Sequence, residues 1–241
     1  MQRVALITGG ASGIGASIAE TLAAASYIVI VNHRNNDEQA QRFAATHKNL
    51  RLSKFDVANF EEVQKALEDL SKEYGFIDTL INNAGITRDG MLHKMDLTQW
   101  QEVINTNLSG AFNTCRALIP AMREKGFGRV VNISSINAAK GQFGQTNYCA
   151  AKAGLLGFTK ALALENAVKG ITVNAVAPGY TDTNMVRKVA EPILQSIIDE
   201  IPMKRLAAPE EIAHMVKYLC SEEAGFVTGA TFHINGGQYM E

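Results

Sequence analysis

Short apolar runs recur along the whole chain, rich in β-branched residues. Val4–Ile7, Ile28–Val31, Leu50–Phe55, Thr79–Ile81, Val130–Ile133, Thr172–Ala177 and Thr231–Ile234 read as strands. Between them lie segments with helical spacing. One runs from the glycine-rich turn after Ile7 to about Ala25; others are Asp37–Thr46, Asn59 to about Tyr74, and Thr98 through Asn107 to about Arg123. Asn147–Ala167 and Pro209–Leu219 complete the set. Asn59-Phe60-Glu61-Glu62 reads as an N-cap with an acidic third position, and Thr98-Gln99-Trp100-Gln101 as a capping box. Strands alternating with helices predict a doubly wound parallel sheet covered on both faces, a three-layer α/β/α architecture. No linker, internal repeat or low-complexity tract interrupts it, so residues 1–241 are expected to form a single domain. The segment 181–205 carries Met185, Val186, Ile193, Leu194, Ile197, Ile198, Ile201 and Met203. This spacing suits either core or a lid over a substrate.

In open parallel sheets ligands bind outside the carboxyl ends of the strands. Five loops leave strands at that rim: Gly9 to Gly15, Asp56-Val57, Asn83-Ala84-Gly85, Ser134-Ser135 and Pro178-Gly179-Tyr180-Thr181. The first is Gly9-Gly10-Ala11-Ser12-Gly13-Ile14-Gly15 between a strand and a helix. That arrangement aims backbone N–H groups and a helix N-terminus at a phosphate. A triphosphate loop needs Gly-x4-Gly-Lys-Ser/Thr; Gly10 to Ser17 fits except that Ala16 stands in the lysine's place. A dinucleotide's pyrophosphate on a Rossmann-like sheet is the better match. The second strand ends in Asn32-His33-Arg34, with no acid to hold a ribose 2′-hydroxyl and an Arg suited to a 2′-phosphate. NADP(H) is therefore expected, with Arg34 at the phosphate.

Tyr148 and Lys152 stand four apart on a predicted helix and so share one face. An ammonium beside a phenol stabilises the phenolate and lowers its pKa, which suits Tyr148 to proton transfer near neutral pH. Ser135, at the exit of the preceding strand, is placed to hydrogen-bond the same substrate oxygen.

Composition removes other classes. Charged residues are 20% of the chain and the formal net charge is -1, so no basic surplus points to nucleic acid or an anionic membrane. Cys115, Cys149 and Cys220 are odd in number and widely spaced, as in a reducing cytosol rather than a disulfide framework. The N-terminal apolar run is too short for a signal peptide or membrane span; a cytoplasmic, soluble protein is expected. The five histidines show no metal-ligand spacing.

Thr8-Gly9-x3-Gly13-Ile14-Gly15, Asn82-Asn83-Ala84-Gly85, Ser135 with Tyr148-x3-Lys152, and Pro178-Gly179 together resemble the short-chain dehydrogenase/reductase family over essentially the whole chain. Asn82 to Asp89 and the ending Asn235-Gly236-Gly237 resemble its 3-oxoacyl thioester reductases. Gly141-Gln142-Phe143-Gly144-Gln145-Thr146-Asn147 is similar to those reducing acetoacetyl-CoA to (R)-3-hydroxybutyryl-CoA for polyhydroxybutyrate. The fatty-acid-synthesis reductases acting on 3-oxoacyl-[acyl-carrier-protein] are the nearest alternative, and a dinucleotide-binding sensor without turnover is the alternative of another class. The resemblance implies hydride delivery from NADPH to the C3 carbonyl, Tyr148 as proton donor, Ser135 as hydrogen-bond donor to the developing alkoxide, and Lys152 on Tyr148 and the nicotinamide ribose. It implies that Asn107 holds a water of a proton relay. It places the cofactor on Gly9, Ser12, Gly13, Ile14, Gly15, Arg34, Asp56, Val57, Asn83, Ala84, Gly85, Tyr148, Lys152, Pro178, Gly179 and Thr181. Substrate contacts are expected from Asp89, Ser135, Gln142, Phe143, Gln145, Tyr148, Gly179 and Tyr180. Ser12 departs from many carrier-protein reductases, which have an Arg there for the adenosine phosphate. The Asn147–Ala167 helix is apolar or small on nearly every face, so its outer face is expected to meet another subunit; the resemblance implies a homotetramer.

Overall fold

A computed structural model describes residues 2–35, 37–45, 47–184 and 186–240. The apolar runs become strands β1 (Val4–Ile7), β2 (Ile28–His33), β3 (Leu50–Lys54), β4 (Thr79–Asn82), β5 (Gly128–Ile133), β6 (Ile171–Pro178) and β7 (Thr231–Ile234). All adjacent pairs are parallel, in the order β3-β2-β1-β4-β5-β6-β7. The helices are α1 (Gly13–Ala24), α2 (Asp37–Ala44), α3 (Phe60–Tyr74), α4 (Leu97–Ile104), α5 (Gly110–Lys125), α6 (Asn137–Lys140), α7 (Thr146–Asn166), α8 (Glu191–Glu200) and α9 (Pro209–Cys220). This is the expected doubly wound α/β sheet. Strand side chains alternate between its two faces. Ala5 and Ile7 of β1 join a core shared with α1 and α9, whereas Val4 and Leu6 join the core beneath α3 and α5.

The sequence signals for α3 hold in outline and differ in detail. Asn59 Oδ1 accepts from the N–H groups of Glu61 (3.1 Å) and Glu62 (3.2 Å). Glu62 does not close a box on Asn59; its Oε2 accepts from Asp56 N at 2.9 Å, tying the helix to the loop after β3. The second box is displaced. Asp96, not Thr98, caps α4, with Gln99 N donating to Asp96 Oδ1 (2.7 Å) and Asp96 N to Gln99 Oε1 (3.0 Å). An acidic side chain two residues upstream wins the same reciprocal bonding. The long helix that follows is not uniform. Asn105–Ser109 is a π-turn, with Gly110 N donating to Asn105 O, five residues back, and α5 continues from it. Short π segments mark functional positions with some regularity, and this one carries Asn107.

Polar residues beneath the sheet fix α7 in register. Asn132 of β5 donates to Thr159 Oγ1 of α7 at 2.8 Å and accepts from Asn82 of β4 at 2.8 Å. Asn82 in turn accepts from Thr114 of α5 at 2.7 Å. All four are buried, and each satisfied bond there avoids the penalty of an orphaned polar group. Ser134 Oγ adds a bond to Lys152 O at 2.9 Å. The outer face of α7 is open: Ala150, Ala153, Gly157, Ala161 and Leu164 are exposed, Leu164 by 83%. No helix among the described residues is long and apolar enough to cross a membrane.

Candidate active site

The order of strands reverses direction between β1 and β4, and ligand sites of such sheets lie at this switch point. Here the loops after β1 and β4 are laced together. Thr8 Oγ1 accepts from Asn83 N (2.9 Å) and Ala84 N (3.0 Å), and Asn83 Nδ2 donates to Thr8 O (2.9 Å) and Gly9 O (3.0 Å). From the other side Asn32 Oδ1 accepts from Gly9 N at 3.2 Å, while its Nδ2 donates to Phe55 O at 2.9 Å. The turn has no room for a side chain at its last glycine. A Cβ on Gly15 would stand 2.5 Å from Gly9 O and from Asn83 Nδ2. Gly13 has a φ of +53°, and Ser12, which caps α1, makes no side-chain bond to the helix. The first turn of α1 therefore presents bare N–H groups into a cradle kept open by absent side chains, which fits a pyrophosphate.

Tyr148, Lys152 and Ser135 meet in a cleft of about 390 Å3 that Gly9, Ser12, Gly13 and Ile14 also line. Thus the proposed proton-transfer trio and the glycine turn share one end of the sheet. Lys152 is buried and its Nζ donates to Ile133 O at 2.7 Å. It lies 5.8 Å from the Tyr148 ring centroid. Burial lowers its pKa from 10.5 to about 8, because desolvation disfavours the ammonium. Tyr148 behaves opposite to the expectation drawn from its neighbour. Burial pushes the phenol above its ordinary value, against the pull of a hydrogen bond with Ser135; Cys149, Asp89 and Tyr180 add to the rise. Desolvation sets the direction, and the Lys152 ammonium is spent on a backbone carbonyl.

Asn107 Oδ1 accepts from Ile86 N at 2.8 Å and its Nδ2 donates to Ile86 O at 2.9 Å. The π-turn thereby grips the loop after β4. A Cβ on Gly85 would stand 3.5 Å from both Asn107 Oδ1 and Lys152 Nζ, so these two groups flank the same backbone. Ser135 Oγ accepts from Asn137 N at 3.1 Å. Asn137 Nδ2 donates to Gln145 Oε1 at 3.0 Å, and Gln145 Nε2 to Asp89 Oδ2 at 3.0 Å. An ionised carboxylate only accepts, so Asp89 sets the orientation of both amides.

Of the substrate candidates, Ser135, Gln145, Tyr148, Gly179 and Tyr180 line the cleft. Asp89 reaches it through Gln145. Gln142 and Phe143 are not among the lining residues, and Phe143 is 84% exposed. Pro178 and Thr181 line the cleft with Asn83, Ala84 and Gly85. Arg34, Asp56 and Val57 line a second cavity of about 330 Å3 that also reaches Gly9 and Ser12. Sequence reading missed Asn32, Asn137, Thr183 and Asn184, the last three of which line the cleft. A polar residue ending an apolar strand was the signal for Asn32; none distinguished the others. In the segment 181–205, α8 has no buried residue, and Ile193 and Met203 are exposed. Met185 lies outside the described residues.

The family model described as "Enoyl-(Acyl carrier protein) reductase" matches residues 9–238. The acetoacetyl-CoA reductase of Rhizobium meliloti (strain 1021) is 54% identical over 241 residues, covering 100% of both chains. The chain belongs to the short-chain dehydrogenase/reductase family. A second relative of this family, the acetoacetyl-CoA reductase of Shinella zoogloeoides, is 53% identical over 100% of both chains. The 3-oxoacyl-[acyl-carrier-protein] reductase FabG of Escherichia coli (strain K12) is 45% identical over 99% of this chain and 98% of its own. As a short-chain dehydrogenase/reductase the protein is an oxidoreductase acting on a CH–OH/C=O couple, and reductases of the family use a nicotinamide cofactor. The glycine cradle described above fits the pyrophosphate of that cofactor.

Proposed function

We propose that this reductase converts acetoacetyl-CoA to (R)-3-hydroxybutyryl-CoA with NADPH, the step that supplies polyhydroxybutyrate synthesis. The observation that carries the reading is the full-length identity of 54% to an acetoacetyl-CoA reductase, together with a cleft that holds Ser135, Tyr148 and Lys152 beside the glycine turn. When bound, NADPH supplies the hydride that C3 takes up. Tyr148 gives its phenolic proton to the C3 oxygen. A phenol held above its ordinary pKa by burial keeps that proton at neutral pH, as a donor must. The Asn137 N–H fills one lone pair of Ser135 Oγ, which leaves the hydroxyl hydrogen for the oxygen where charge develops. Lys152, at about 8, remains mostly protonated at pH 7 and balances that charge. Asn107 keeps the Ile86 backbone in place beside Lys152 and belongs to the proton path that restores Tyr148.

Gly9, Ser12, Gly13, Ile14 and Gly15 hold the pyrophosphate, Asn83, Ala84, Gly85, Pro178, Gly179 and Thr181 the nicotinamide half, and Asp56 and Val57 the adenine. Arg34 takes the 2′-phosphate, since no acid ends β2. The segment 181–205 closes over the acyl chain, and α7 meets a second subunit through its exposed apolar stripe within a cytoplasmic homotetramer. The second reading, 3-oxoacyl-[acyl-carrier-protein] reduction, is favoured by the 45% identity to FabG. Turnover with NADPH on acetoacetyl-CoA and on acetoacetyl-carrier protein, with product configuration, tests both. The expected result is faster use of the CoA thioester and an (R) product; a strong carrier-protein preference overturns the choice.

A further inference from the structure

The second cavity holds an ion pair between two residues assigned above to different parts of the cofactor. Arg34, just past β2, donates through Nη1 to Asp56 Oδ2 at 3.2 Å across the mouth of β3. The two partners differ in freedom. Asp56 Oδ1 accepts from Ala58 N at 2.9 Å, and Asp56 N donates to Glu62 Oε2 at 2.9 Å, so the carboxylate is fixed by its turn. The guanidinium sits on a long, half-exposed arm. The nearby Lys54 is committed to Asp37 at 2.7 Å. Arg34 is thus the one Lys or Arg among the described residues lining this cavity.

We propose that Asp56 is a specificity-determining residue that acts through Arg34, competing for its guanidinium with the 2′-phosphate of NADP(H). The proposal rests on the assignment of Arg34 to that phosphate. A phosphate monoester carries a charge of about −1.5 to −2 near neutral pH, and the guanidinium fork engages its oxygens bidentately. To do so Arg34 must loosen its hold on Asp56, which then stands as an uncompensated negative charge close to the phosphate. NADH, with a hydroxyl in that place, leaves the pair intact. Asp56 therefore weakens binding of the phosphorylated cofactor and is indifferent to the 2′ position of the other. Contacts it makes with the adenine are common to both and cancel in a ratio.

The test is calorimetric titration of NADPH and NADH into the intact enzyme and its D56N, R34Q and double variants. Asp56→Asn keeps an oxygen for the Ala58 N–H while removing the charge. Wild type is expected to bind NADPH more tightly. D56N should widen the NADH-to-NADPH ratio of dissociation constants by about two- to fivefold, the range of a half-exposed ion pair. R34Q should bring the ratio towards one, and adding D56N to R34Q should change it less than in wild type. An unchanged or narrower ratio in D56N overturns the competition while leaving Arg34 at the phosphate. A wild-type ratio near one overturns the assignment of Arg34 and the proposal with it. Should D56N fail to fold, Asp56→Ser, which also retains an acceptor for Ala58 N–H, is read by the same ratios.

Discussion

Lys152 is charged, buried and anchored to one carbonyl, and its replacement by Met isolates what that charge does to stability. Its pKa falls from 10.5 in the open chain to about 8 in the fold, a drop worth roughly 3 kcal/mol at about 1.4 kcal/mol per pH unit. Below pH 8 the group is protonated in both states and the fold bears the whole penalty. Between pH 8 and 10.5 the unfolded chain binds more protons than the folded one, so stability rises with pH across that window. From pH 7 to pH 9.5 the wild type should gain about 2 kcal/mol relative to Lys152→Met. For a chain of this size that is about 4–8 °C in Tm. Loss of the bond from Lys152 Nζ to Ile133 O costs the variant a constant amount, and other titrating groups are common to both proteins. Thermal melts of the two proteins at pH 7 and pH 9.5, at equal concentration, read the change in their Tm difference. A difference that stays constant to within about 1 °C would refute the reasoning, since it would mean that the ammonium is not desolvated in the fold.

Tyr148→Phe should lower kcat by about 10²- to 10⁴-fold, the usual scale of a lost general acid, with NADPH affinity measured by titration within about twofold of wild type. Retention of most of the turnover would remove Tyr148 from proton transfer. Gly15→Ala should abolish cofactor binding in the same titration, because the added Cβ meets Gly9 O and Asn83 Nδ2 at 2.5 Å and the turn must shift. A variant that binds NADPH normally would show that the cradle is looser than this geometry demands.

The sheet was legible because a strand covered on both faces must be apolar throughout; β1 and β7 were placed to the residue. The rim was legible because glycine-rich and polar loops follow those strands directly. What escaped is tertiary in origin. The displaced α4 cap turns on whether Asp96 or Thr98 reaches the free N–H groups, a choice local pattern does not make. The π-turn leaves no trace in periodicity over five residues, since Asn107 earns its place by gripping Ile86 across the chain. The Tyr148 phenol was misjudged in direction because spacing reports which groups are neighbours and not how dry the pair is. Lys152 Nζ aims at Ile133 O, a bond invisible in sequence.

The wide turn at 105–109 also constrains how the gene can change in length. An α-helix advances about 100° per residue, so deleting one residue here would let a regular helix run through. The residue such a deletion removes is the extra one that the wide turn holds, so α5 would keep nearly its phase against α4. Val103 on one side and Cys115 and Leu118 on the other, all buried, would still face inward; what would change is where Asn107 points relative to Ile86. A single-residue deletion in this stretch should therefore damage the site more than the fold, whereas one elsewhere in α4 or α5 would turn the buried face away by about 100°.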